Sequence, residues 1–264
     1  MRAAAITGWV LRERRRSLTL WALALMAVCA MYLAFYPSMA NQDMEAIIAG
    51  LPEGLVEAMG WDAIATGAGY LESTVYALLG PALLLVFGIG AGAGLIAGEE
   101  EAGTLELETA APVGRRSLLL QRHLALALGL LLLCTALAAM ALVLAPALDM
   151  GIAASGIVAA SVGLYLLVLA MATIAFAVGA ASGRRATALG VAAAVTVLAY
   201  IADALAPMVE GAAWLETISP FAWYLGGEPL TRGVDAGGVL ALAALTLVVL
   251  AAGMIGLQRR DLGV

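Results

Sequence analysis

The sequence predicts an all-α polytopic membrane protein with six transmembrane helices, and three observations carry that expectation. Hydrophobic residues make up 64% of the chain and charged residues only 12%, with a mean hydropathy of +1.01. Soluble domains are about half apolar and about a quarter charged. Six runs reach the roughly 20 mainly apolar residues needed to cross hydrocarbon: 17–36, 73–97, 118–145, 154–181, 186–205 and 236–257. They are rich in Ala, Leu and Val without strict alternation, which favours helices over barrel strands. The third observation is sidedness. Arg2, Arg12, Arg14, Arg15, Arg16, Arg115, Arg116, Arg122, Arg184, Arg185, Arg259 and Arg260 fall on one side of the spans, and only Arg232 on the other. Basic residues mark the cytoplasmic side, so both termini are expected in the cytoplasm. No stretch sized for a soluble domain remains, and 1–264 reads as a single transmembrane domain.

Taken in order, residues 1–16 place Ile6, Trp9 and Val10 on one helical face, with Arg12 and Arg14–Arg16 close behind. This predicts an amphipathic helix on the cytoplasmic leaflet. The arginines, the apolar run and Ser38-Met39-Ala40 imitate a signal peptide, but the run exceeds the usual apolar core of one, so an uncleaved first span is expected. In the outer loop 37–72, Met44, Ile47, Ile48, Leu51, Leu55 and Met59 recur at helical spacing around Pro52, which predicts two short helices on the outer face.

In the second run, Gly80-Pro81 predicts a kink. Gly88, Gly90, Gly92 and Gly94 form two pairs four apart, and both pairs are expected to admit close helix packing. Gly92, Gly94 and Ala97 match a dinucleotide-binding pattern, but a membrane span precedes them rather than a strand. In the fifth run, Thr196 and Tyr200 lie one turn apart and offer polar handles. Together with Gly80, Pro81, Gly88, Gly90, Gly92 and Gly94 they are the expected lining or hinges of a pathway. In the outer loop 206–235, Trp214, Phe221, Trp223 and Tyr224 are expected to anchor the interface.

Several chemistries are excluded. The chain has no lysine, so it lacks the phosphate-loop lysine of P-loop ATPases and the ATP-pairing lysine of kinases. Cys29 and Cys134 lie in apolar runs and read as small hydrophobes. Ser155 and Ser182 sit in Ala-Ser-Gly sequences that faintly imitate intramembrane proteases. The single histidine, His123, lies at the expected cytoplasmic edge and reads as interfacial. No catalytic, cofactor-binding or metal-ligating residues are expected, and no basic face suits nucleic acid. Acids are nearly absent from the spans, which argues against proton-driven transport. The energy for any transport is therefore expected from another subunit, and the substrate is expected to be lipophilic.

The most informative segment is 98–117. Glu99, Glu100, Glu101, Glu106 and Glu108 lie between two apolar runs, and Pro112 closes a short helix-compatible pattern. A charge in hydrocarbon costs on the order of 3 kcal/mol on insertion scales, so these glutamates are expected outside the bilayer as a docking element. The sequence Gly98-Glu99-Glu100-Glu101-Ala102-Gly103-Thr104-Leu105-Glu106-Leu107, followed by Ala111-Pro112-Val113-Gly114-Arg115-Arg116, resembles the cytoplasmic loop of permease subunits of the type-2 ABC exporter family. The basic entry helix, the six spans and Ser219-Pro220-Phe221 extend the resemblance over nearly the whole chain. It is closest in appearance to small permeases of bacterial drug and antibiotic exporters. The absence of a large extracellular domain departs from macrolide-efflux and lipoprotein-type members.

The resemblance implies a permease in the bacterial plasma membrane, paired with two copies of a separate ATPase that bind ATP and Mg, and with a second permease, as a homodimer. It implies that the loop holds a coupling helix near 103–110, with Leu105 as an apolar contact and Glu106 as a polar one. Gly103, Thr104 and Leu107 belong to the same element, and Glu99–Glu101 would form the base of span two. Two other readings are a membrane anchor or sensor that recruits an ATPase without transporting, and an intramembrane enzyme. Cellular export that requires this chain and an ATPase encoded beside it would separate the first from transport.

Overall fold

A computed structural model describes residues 5–40, 66–103, 114–206, 211 and 214–259. Among the described residues, six helices are long and apolar enough to cross a membrane, so the chain is an all-α polytopic protein. The helices run past the apolar stretches that mark them. The first covers Arg15–Ala40, the second Gly67–Glu101, the third Arg115–Ala147, the fourth Ala154–Ser182, the fifth Arg185–Leu205 and the sixth Ala236–Gln258. Hydropathy registers only the part of a helix suited to hydrocarbon, and the polar ends continue the same backbone ladder.

The entry helix spans Ala5–Glu13. Thr7 Oγ1 donates to the Gln121 carbonyl at 2.9 Å, and the Ile6 amide donates to Gln121 Oε1 at 3.2 Å. Thr7 and Val10 are buried, whereas Trp9 is exposed. The predicted face is thus corrected. At 100° per residue Thr7 and Val10 share a stripe that packs on span three, and Trp9 points away from it. The expected short helices at 44–59 lie outside the described residues.

Span four is the hub. It packs against spans two, three, five and six and against the short helices of the last outer loop, while span one packs on span three. It ends at Gly183, whose φ of 65° makes the left-handed cap that glycine suits. Arg184 follows, and the fifth helix starts at Arg185. Span six begins at Asp235, whose carboxylate accepts from the Gly237 and Gly238 amides at 3.0 and 2.9 Å, the usual side-chain cap of a helix N-terminus.

The expected kink at Gly80-Pro81 takes a specific form. Residues Glu72–Leu79 form a π-helix, and the Gly80 amide bonds back to the Val75 carbonyl. In that widened register the Tyr76 carbonyl would look to residue 81, and proline has no N–H to give. The Tyr224 hydroxyl supplies the donor instead, at 3.0 Å. Tyr224 lies on the helix Pro220–Leu225, which Ser219 caps through the amides of Phe221 and Ala222. Its ring sits where Gly163 of span four has no side chain. Phe221 and Tyr224 are therefore buried inside the bundle rather than anchored at its interface, while Trp214 is exposed as expected.

Candidate functional site

The glutamate segment and the helices around it form the densest set of charges in the described structure. A second π stretch, Gly94–Gly98, precedes the helical turn Glu99–Glu101, so span two carries the acids on its own end. Arg122, fully buried on span three, pairs with Glu99 and donates to the Leu95 carbonyl of the π stretch. A π turn spreads the backbone carbonyls and leaves room for such a side-chain donor. Glu101 serves a different helix: its Oε1 accepts from the backbone amide of Arg185 at 2.8 Å. That amide opens span five, where orphan N–H groups and the helix dipole favour a carboxylate.

Glu99–Glu101 form the base of span two, as the resemblance implies. Glu99, partly buried, ties this base to span three, and Glu101, exposed, ties it to span five. Gly103, with φ of 70°, is exposed just beyond the helical turn. Thr104, Leu105, Glu106 and Leu107 lie outside the described residues. The sequence counts Arg122 among the arginines that mark the cytoplasmic side. Its isolation within an apolar run, six residues beyond Arg116, was the available sign that it needed a buried partner.

The glycines of span two divide between two faces. Gly88 meets Val168 and Ala172 of span four, and a Cβ on Gly92 would overlap the Ala172 carbonyl. That pair packs as expected. Gly90 and Gly94 lie on the opposite face, and a Cβ on Gly90 would meet nothing within 4 Å. The expected packing role of the second pair is corrected, because both glycines line an open cavity of about 490 Å³. Trp21 and Phe87 wall it, edge to face with centroids 5.6 Å apart, and Arg14, Arg185, Glu13 and Glu99 stand around it. Gly80 and Pro81 are buried further along the same helix.

Thr196 and Tyr200 do not join this cavity. Thr196 is buried and donates to its own helix at the Ala192 carbonyl, 2.8 Å away. Tyr200 packs edge-on against Phe221, with centroids 5.4 Å apart. Span five reaches the cavity through Arg185.

His123 is set inside the bundle rather than at its edge. Its Nε2 lies 2.9 Å from Thr173 Oγ1, and its ring meets Phe176. Ser155 sits 18 residues before Thr173 on span four, about 27 Å along the axis at 1.5 Å per residue, so the geometry assembles no serine–histidine pair there. Among the described residues, no three His, Cys, Asp or Glu side chains converge as a metal site would require.

A buried ion pair, a capped helix start and an adjoining cavity thus meet at one end of the six-helix bundle. No curated protein matches the chain. The family model for ABC-2 family transporter proteins matches residues 5–262, nearly the whole chain, and the chain belongs to that family.

Proposed function

We propose that this chain is the membrane-spanning permease subunit of an ATP-driven exporter of amphipathic or lipophilic substrates. In this reading it pairs with a second copy of itself and with two copies of a separate ATPase that bind ATP and Mg. The membrane is the bacterial plasma membrane, with both termini inside. The observation that carries the proposal is the double tie at the base of span two. Glu99 reaches span three through Arg122, and Glu101 reaches span five through the Arg185 amide. A push delivered to 104–113 enters the bundle through this junction, beside the open face of Gly90 and Gly94. Drugs and lipids suit a passage with few charges along its spans; small inorganic ions do not.

Leu105→Asp and Glu106→Arg test the coupling. The first removes an apolar contact and the second reverses a charge in a docking groove. We expect each to abolish substrate-stimulated ATP turnover, or co-purification of the ATPase, while the spans stay folded. Normal export by both variants at normal expression would reduce the segment to a solvated connector and overturn the proposal.

Sidedness has its own test. Cysteines placed at Met1 and at Gln42 in a Cys29- and Cys134-free background are expected to react with an impermeant thiol reagent from opposite sides of the membrane. Labelling from the same side would refute the orientation.

A further inference from the structure

We infer that the cavity between the start of span one, span two and the start of span five is a binding site for an anionic amphiphile, with the negative head held by Arg14 and Arg185 and the tail laid along Trp21, Phe87 and Gly90. The volume, about 490 Å³, falls in the range of small-molecule sites. Its two ends differ in chemistry. At one end stand the guanidiniums of Arg14 and Arg185, neither in an ion pair among the described residues. At the other, Trp21, Val86 and Phe87 present apolar walls, and Gly90 leaves the floor bare.

No lining carboxylate forms an ion pair with either guanidinium among the described residues. Glu99 is taken by Arg122, and Glu13 is exposed to solvent. Glu101 meets Arg185 through the backbone amide rather than the guanidinium. Burial lowers the pKa of the Arg14 guanidinium, and the nearby Arg122 and Arg185 act the same way, against the opposing pull of Glu99 and Glu13. A bound anion would relieve that cost. Arginine pairs suit phosphate and carboxylate heads because each guanidinium offers a planar fork of donors. Gly94 and Gly98 help to open the head end: a Cβ on Gly94 would sit 3.5 Å from Arg14 Nη2, and one on Gly98 would sit 3.5 Å from Arg185 Cδ.

The occupant is either a bilayer phospholipid or the transported cargo, and both share this chemistry. The inference concerns binding by this chain alone, so failure of ATP-coupled export would leave it standing. The test uses full-length chain in which Trp21 is the sole tryptophan, reconstituted in phosphatidylcholine bilayers. Trp21 fluorescence is titrated with phosphatidylglycerol or phosphatidylcholine carrying identical brominated acyl chains. Two charge-assisted contacts predict half-quenching at an anionic-lipid fraction lower by about tenfold or more.

Arg14→Gln with Arg185→Gln is expected to erase that preference. As a second variant that leaves the arginines in place, Gly90→Leu is expected to weaken quenching by filling the tail space. Equal quenching by the two lipids, or an unchanged preference in the arginine double variant, would overturn the assignment. Adding dodecyl phosphate separates the sources. Release of the brominated lipid supports a site open to single-chain cargo, and retention supports one built for a two-chain lipid.

Discussion

Replacing Arg122 with methionine is expected to destabilise the bundle by about 3 kcal/mol or more, the usual consequence of removing one member of a buried ion pair. Arg122 is fully buried, and its partner Glu99 keeps only 20% of its side chain exposed. Without the guanidinium, Glu99 loses its buried partner and keeps only weaker opposing charge such as that of nearby Arg14, and the Leu95 carbonyl loses a donor. Arg122→Met with Glu99→Gln removes both charges and is expected to recover most of the loss, because the penalty lies in the orphaned charge more than in the lost attraction. Thermal unfolding in detergent of the wild type, both single variants and the double variant measures the coupling. Additive losses would mean that the two side chains act independently. The double variant should still be uncoupled when paired with the ATPase, since a stable fold without the tie no longer passes a push from span two to span three.

The second large effect separates two glycines only two residues apart. Gly92→Leu is expected to prevent stable folding, at a cost of about 3 kcal/mol or more, because overpacking a tight contact displaces whole elements. The first added carbon already overlaps the Ala172 carbonyl, a backbone atom that cannot swing aside. Gly90→Leu is expected to leave the protein folded, with unchanged elution and unfolding temperature in detergent, because its Cβ enters open space. Export should nevertheless fall, since the new side chain occupies the cavity. Equal stability of the two variants would mean that the close contact between spans two and four is not maintained in the membrane. Full export by Gly90→Leu would remove the cavity from the transport path.

Much of this architecture could be read from the chain because hydropathy is a property of single segments. All six spans were visible as apolar runs, and the glutamate segment at 98–117 stood out because charge and hydrocarbon do not mix. What escaped was whatever depends on how one helix is rotated against another. Gly88, Gly90, Gly92 and Gly94 were read as two equivalent packing pairs, although residues two apart face opposite sides of a helix. The isolation of Arg122 in an apolar run signals a buried partner, but nothing local identifies Glu99 as that partner. The one-turn spacing of Thr196 and Tyr200 does not reveal that Tyr200 packs on Phe221 of the outer loop. Phe221 and Tyr224 looked like interface aromatics, and only the gap at Gly163 explains the burial of Tyr224.

The two π stretches of span two, Glu72–Leu79 and Gly94–Gly98, bracket the α-helical piece Gly80–Ala93 that carries Gly88, Gly90 and Gly92, and Gly94 opens the second stretch. A π turn holds one residue more than an α turn, so sliding such a turn along a helix exchanges hydrogen bonds one for one while rotating the residues it passes by about 100°. The middle of span two is therefore a shaft between two bearings. Sliding both turns in the same sense would rotate it about its own axis without breaking the helix. Tyr224, clasping the Tyr76 carbonyl, is the stop on the upper bearing, and Arg122, clasping the Leu95 carbonyl, is the stop on the lower one. Any such turn must first open the close contact of Gly92 with the Ala172 carbonyl, which holds the present setting.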